Sequence, residues 1–293
     1  MGYLNLVGAR NPYSDNIDLM SVEEIIRLIN LEEKTVAGIV ERAIPQIVEV
    51  TEKAMSAIQS GGRLILCGAG SASGRLVEAE VAQLEPSYGM DPSKIVALSF
   101  GLGGPLDLIE DLENKEEYGE EALKNVGLCN KDVVIGVSGT GQTLSIVGCL
   151  KYAKQVGALA VALCCNIGSK IEEIADISIL TPVGPEIITE SARHKGGTAH
   201  KMVLNMITSS IVIKLGYVYR NIKVGLPTNR PNLWEKGIGF VIDATKCTRE
   251  RAELCLKRCN GNVKVAVLMI LNDIDSVDNA LSLLDRNGGR VRL

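Results

Sequence analysis

Aromatic side chains are scarce in this chain: one Trp, two Phe and seven Tyr, 3% of 293 residues. Base-stacking platforms and aromatic sugar clamps are built from such residues, so neither is expected. A basic surplus is missing too. Lys plus Arg number 31 against 35 Asp plus Glu, a net charge of −4, which argues against nucleic acid as a partner. No apolar run reaches the length of a membrane span, and Met1 is not followed by a basic-then-apolar export signal. A soluble, cytoplasmic protein with no membrane partner is therefore expected. Histidine is limited to His194 and His200, and the eight cysteines include no CxxC pair. Cys255 and Cys259 stand one helical turn apart, but no further ligands are spaced for zinc, so no metal is expected. Without an export signal the cysteines read as buried thiols rather than a disulfide framework.

What is present is apolar. The fraction is 46%, enough for a sizeable core. Ser21-Val22-Glu23-Glu24 is a capping box that opens a helix, and a second helical stretch runs from about Thr35 to Ser60. Short apolar runs then alternate with helical segments: Leu64–Cys67, Ile95–Leu98, Val133–Val137, Leu159–Cys164 and Ile177–Leu180. Strands apolar on both faces predict an α/β protein whose five-stranded parallel sheet is flanked by helices. From Gly196 to about Val218 the pattern is one long apolar helix, after which Pro227 and Pro231 interrupt the chain. Thr248–Cys259, Val263–Leu271 and Val277–Leu284 read as three short helices. The division expected is a main domain over residues 1–240, with an N-terminal helical arm, and a small three-helix module over 241–293.

Parallel sheets place ligands at the carboxyl ends of their strands, where two glycine-rich loops lie. The first, Gly68-Ala69-Gly70-Ser71-Ala72-Ser73-Gly74-Arg75-Leu76, follows a strand and opens a helix, a geometry suited to phosphate. A dinucleotide fingerprint is the rival reading. Here the spacing is G-x-G-x-x-x-G, and the second strand ends Leu98-Ser99-Phe100 with no acid for a ribose. The second loop, Ser138-Gly139-Thr140-Gly141-Gln142-Thr143, offers hydroxyls without a P-loop lysine. Two hydroxyl-rich loops on one sheet edge point to a monophosphate on a polyhydroxyl body, a sugar phosphate. Candidate ligand contacts are Ser71, Ser73, Ser138, Thr140, Gln142 and Thr143.

Two further stretches carry charge. Acids crowd residues 105–121; Glu110, Glu113 and Glu117 share a helical face, and spacing alone does not choose among them. Gly184-Pro185-Glu186 leads through Glu190-Ser191-Ala192-Arg193-His194-Lys195 into the long helix. Such side chains are unnecessary for packing so apolar a helix, although capping and solvation would also account for them. Glu186 and Lys195 join the candidate contacts.

These blocks together resemble one family. Arg10-Asn11-Pro12, Glu33-Lys34-Thr35-Val36, Ser73-Gly74-Arg75-Leu76, Gly136 to Thr143, Gly184 to Glu186, Ser191 to Lys201 and Leu204-Asn205-Met206 occur in the order found in N-acetylmuramic acid 6-phosphate etherases. The resemblance implies a sugar isomerase (SIS) fold, a homodimer, and no cofactor. It implies removal of D-lactate from the C3 ether of N-acetylmuramic acid 6-phosphate, giving N-acetylglucosamine 6-phosphate in cell-wall amino sugar catabolism. The chemistry it implies is elimination from the open-chain aldehyde by a base and an acid, followed by addition of water.

Carried over residue by residue, the family's base falls on Glu113 and its acid on Gln83. An amide donates a hydrogen bond but does not release a proton at neutral pH. The first loop also carries one extra residue, and Gln142 stands where the family usually has Arg. The superfamily includes the glucokinase regulatory protein, a sugar-phosphate binder without catalysis. A non-catalytic regulator is accordingly the alternative to a carbon–oxygen lyase, and a sugar-phosphate isomerase comes third.

Overall fold

Strands form where the chain is apolar on both faces. The structure, a computed structural model, describes residues 3–101 and 114–292, with only the backbone of Ser71. Before the sheet come the helices Val22–Glu33 (α1), Val36–Glu41 (α2) and Ile44–Gln59 (α3). The capping box is present on α1: Ser21 Oγ accepts from the Glu24 N–H, and Glu24 accepts from the Ser21 N–H. The stretch read as one helix from Thr35 to Ser60 is two, because Pro45 has no N–H to donate and occupies the first turn of α3.

Leu64–Ala69 (β1), Ile95–Phe100 (β2), Val133–Val137 (β3), Leu159–Cys164 (β4) and Ile177–Leu180 (β5) pair in parallel in the order β2-β1-β3-β4-β5. The connecting helices are Arg75–Ala82 (α4), Leu84–Tyr88 (α5), Glu116–Asn125 (α6), Leu144–Val156 (α7) and Lys170–Ile174 (α8). On one face Ile65, Cys67, Val134 and Ala162 pack with Ile146 and Leu150 of α7. Leu64, Leu66, Ile135 and Leu163 alternate with them and are as fully buried, and α3 packs against β1, β3 and β5. Each Leu or Ile buried in this way contributes about 1.5–3 kcal/mol. The strand ends are thereby rigid supports for their loops.

The long helix is Lys195–Lys214 (α9), followed by a two-stranded hairpin, Val218–Tyr219 (β6) with Ile222–Lys223 (β7). Pro231 does not merely interrupt the chain: it lies in the first turn of Pro231–Thr245 (α10), where its missing N–H costs nothing. Then follow Arg249–Arg258 (α11), Val263–Leu271 (α12) and Val277–Arg286 (α13). Val241 of α10 shares a core with Leu256, Val267, Leu268 and Leu284. The chain divides into two compact units, Met1–Val81 with Ser93–Ile207, and Ala82–Pro92 with Thr208–Leu293. The unit holding the three short helices thus takes in Ala82–Pro92 and Thr208–Leu293, more than the expected 241–293. Among the described residues, no helix is long and apolar enough to cross a membrane.

Candidate functional site

The strand order reverses direction between β1 and β3. From β1 the chain crosses to β2 on one side, and β3 then pairs on the other. Gly68 lies opposite Val137, so the loops leaving these two strands emerge side by side. Such a switch point is where an open parallel sheet leaves a crevice.

The first loop is a single π-type turn, Gly70–Gly74, running into α4. It folds back so tightly that a Cβ on Gly68 would lie 2.4 Å from the Ser73 carbonyl oxygen, which reserves position 68 for glycine. The second loop is organised around one hydroxyl. Ser138 Oγ accepts from the Gly141 N–H at 3.0 Å and lies 2.9 Å from Thr143 Oγ1. Thr140 Oγ1 accepts from the Gln142 N–H at 3.2 Å. Thr143 then starts α7 without a side-chain cap. The first N–H groups of a helix have no acceptor within it, so the end of α7 favours an anion.

Between the loops lies a cavity of about 400 Å³, lined among the described residues by Ser73, Ser138, Thr140 and Thr143 and by the segment Glu190–Arg193. This size falls in the range of about 300–1,000 Å³ typical of small-molecule sites. Four of the candidate ligand contacts are therefore gathered around one space. Gln142 is half-buried and does not line it. Glu113 lies outside the described residues, as does the side chain of Ser71. Gln83 is exposed and belongs to the second unit.

Glu186 and Lys195 have other partners. Glu186 is wholly buried, and its two oxygens accept the N–H groups of Lys195 (3.0 Å) and Gly196 (2.9 Å) at the start of α9. Burial raises its pKa against the lowering effect of these N–H groups. The Lys195 ammonium donates to Glu32 Oε2 at 2.6 Å, and the same oxygen takes the Asn11 amide at 2.9 Å. Neither residue lines the cavity. A helix N-terminus in an apolar setting needs a counter-charge, and here the fold supplies it internally. The contribution of Glu190 and Arg193 is what reading by residue type missed. The signal was the surplus of polar side chains before an apolar helix, and only the folded chain shows which of them turn to the cavity.

The buried histidine is structural. His200 Nε2 lies 3.3 Å from Cys165 Sγ, which also meets Thr181 Oγ1 at 3.4 Å. Burial lowers the imidazole to about 4 and raises the Cys165 thiol to about 12. A thiol held that high is no nucleophile at neutral pH.

The chain is similar to known proteins over nearly its full length. A family model for the SIS domain matches residues 32–165. A relative from Photorhabdus laumondii, named N-acetylmuramic acid 6-phosphate etherase, is 40% identical over 285 residues, covering 97% of this chain and 94% of its own length. Those of the same name from Aliivibrio fischeri (39% over 281 residues; 96% and 93% covered) and Actinobacillus pleuropneumoniae (40% over 286; 97% and 93%) are equally similar. Among solved structures, a phosphoheptose isomerase from Neisseria gonorrhoeae superposes with a TM-score of 0.50 at 17% identity, covering 65% of this chain and 98% of that one. At that identity the likeness shows the fold alone.

Proposed function

The chain belongs to the N-acetylmuramic acid 6-phosphate etherase family, and on that premise we propose that it cleaves the D-lactyl ether of N-acetylmuramic acid 6-phosphate. The products are N-acetylglucosamine 6-phosphate and D-lactate. The observation that carries this reading is the cavity at the switch point, where Ser73, Ser138, Thr140 and Thr143 converge beside the uncapped start of α7. Hydroxyls and helix-terminal N–H groups together suit the 6-phosphate. Glu113 takes the C2 proton of the open-chain sugar, and the family's acid position is held by Gln83, an amide. The reaction needs no cofactor, since acid–base chemistry alone accounts for it.

The same reading makes the enzyme a cytoplasmic homodimer. All eight cysteines are free thiols, as suits a reducing compartment. On α1, Val22, Ile26 and Leu31 are exposed although apolar, the kind of face a second copy would cover. Light scattering should give about twice the 31.4 kDa chain mass, and Ile26→Glu with Leu31→Glu should return it to the single-chain value. A single-chain mass for the unmodified protein would refute the dimer.

Lactate release from N-acetylmuramic acid 6-phosphate tests the activity directly. Tight binding of the sugar phosphate with neither lactate release nor deuterium entry at C2 would instead favour a non-catalytic regulator, the reading that Gln83 favours.

A further inference from the structure

With glutamine at position 83, the departing lactate oxygen has no carboxyl there to protonate it. Lactate leaves poorly as an alkoxide, so the reaction as proposed needs a proton donor from elsewhere. Among the described residues, one acidic residue lines the cavity, Glu190. Its backbone is unusual as well. Glu190 has φ 64, in the left-handed region that favours glycine. Four other described non-glycine residues share this feature: Arg220, Lys246, Asn260 and Asp273. Arg220 turns the β6–β7 hairpin, and the other three lie just past the ends of α10, α11 and α12, where such a conformation is routine. Glu190 ends no helix and joins no strand pair. Its turn is closed by the Ser191 N–H donating to the Ile188 carbonyl and the Ala192 N–H donating to the carbonyl of Glu190. A residue held in a disfavoured backbone conformation on the wall of a cavity points to function.

We propose that Glu190 is the general acid of this enzyme, standing in for the carboxyl that position 83 lacks. The assignment rests on the etherase reading. When the base takes the C2 proton, the freed electron pair forms the C2=C3 double bond and the C3–O bond breaks. Its electrons pass to the lactate oxygen, which takes the proton of the Glu190 carboxyl. The resulting carboxylate then accepts a proton from water as the water oxygen adds to C3, and the C2 proton is returned. The carboxyl is restored, and the net reaction consumes one water.

The test measures two rates in deuterated buffer on N-acetylmuramic acid 6-phosphate: deuterium entry at C2 and lactate release. Glu190→Gln should lower lactate release by about 10²–10⁴-fold, while C2 exchange persists and the sugar phosphate still binds. Glu190→Gly separates chemistry from folding. Glycine adopts the left-handed conformation freely, so this variant should unfold about 2–4 °C higher and yet release lactate as slowly as Glu190→Gln. A merely structural residue would not lose turnover while gaining stability. Lactate release within threefold of the unmodified rate in both variants overturns the assignment. If the unmodified protein shows neither exchange nor release although the sugar phosphate binds, the etherase reading itself falls, and the assignment with it.

Discussion

Two polar clusters lie near the segment that leads into α9, and they differ in whether they line the cavity. In one, Glu186 and Lys195 are buried and fully engaged, with the α9 N-terminus and with Glu32 respectively. In the other, Ser73, Ser138, Thr140 and Thr143 border open space. Residue type alone would rank the first cluster higher, since charged groups near a helix N-terminus suggest an anion site. The structure reverses the ranking. Charge removed from water must be neutralised within the fold, whereas a hydroxyl can face an open cavity without such a partner.

Several experiments would break or sharpen this contrast. The largest effect is expected from Lys195→Met, which leaves Glu32 without its buried counter-charge and should cost about 3–5 kcal/mol of unfolding free energy. Affinity for the sugar phosphate in the folded fraction should hardly change. A loss of affinity at unchanged stability would move Lys195 into the ligand site and erase the distinction.

Next comes acid. His200, buried farther along α9, has its pKa lowered by burial to about 4, against an unfolded value near 6.5. Below pH 6.5 the unfolded chain binds a proton that the folded chain refuses. Stability due to the neutral imidazole is therefore complete above pH 6.5 and is lost as the pH falls toward 4, by roughly 3 kcal/mol. Denaturant titrations across this range should show the slope flattened in His200→Gln, and parallel curves would show that His200 titrates normally in the fold.

The open cluster should respond in binding and not in folding. Ser138→Ala should weaken sugar-phosphate binding about tenfold, as a hydrogen bond to a charged group is worth about 1.5–3 kcal/mol. The melting temperature should move little, since the Gly141 N–H loses one local acceptor but still has the Ser138 carbonyl. Calorimetry giving unchanged affinity would take the phosphate away from this loop.

The smallest effect belongs to the surface. Lys257 pairs with Glu253 one turn apart on α11, both exposed, and Lys257→Ala should change stability by less than about 0.5 kcal/mol. A larger change would mean that this face of α11 is covered in solution.

The sheet was legible because its strands are buried on both faces and so read as continuous apolar runs; Val133–Val137, Leu159–Cys164 and Ile177–Leu180 needed no adjustment. The Ser21 cap was legible because the whole signal lies within four residues. Proline was harder to read. At Pro45 and Pro231 the missing N–H marks a helix start, which in sequence looks the same as an interruption.

The candidate site divides along the same line. The sequence by itself determined that two hydroxyl-rich, glycine-bearing loops follow apolar strands, since this depends on neighbours along the chain and on a side-chain period of two. Tertiary structure decided which polar groups remain available. That Ser73 and Ser138 border one cavity depends on β1 pairing with β3 across more than sixty intervening residues. That Glu186 caps α9 while Glu190, four residues later, lines the cavity depends on how one turn is closed. Acids close in sequence carry the same charge and propensity, and only the backbone path fixes whether each meets an N–H group or open space.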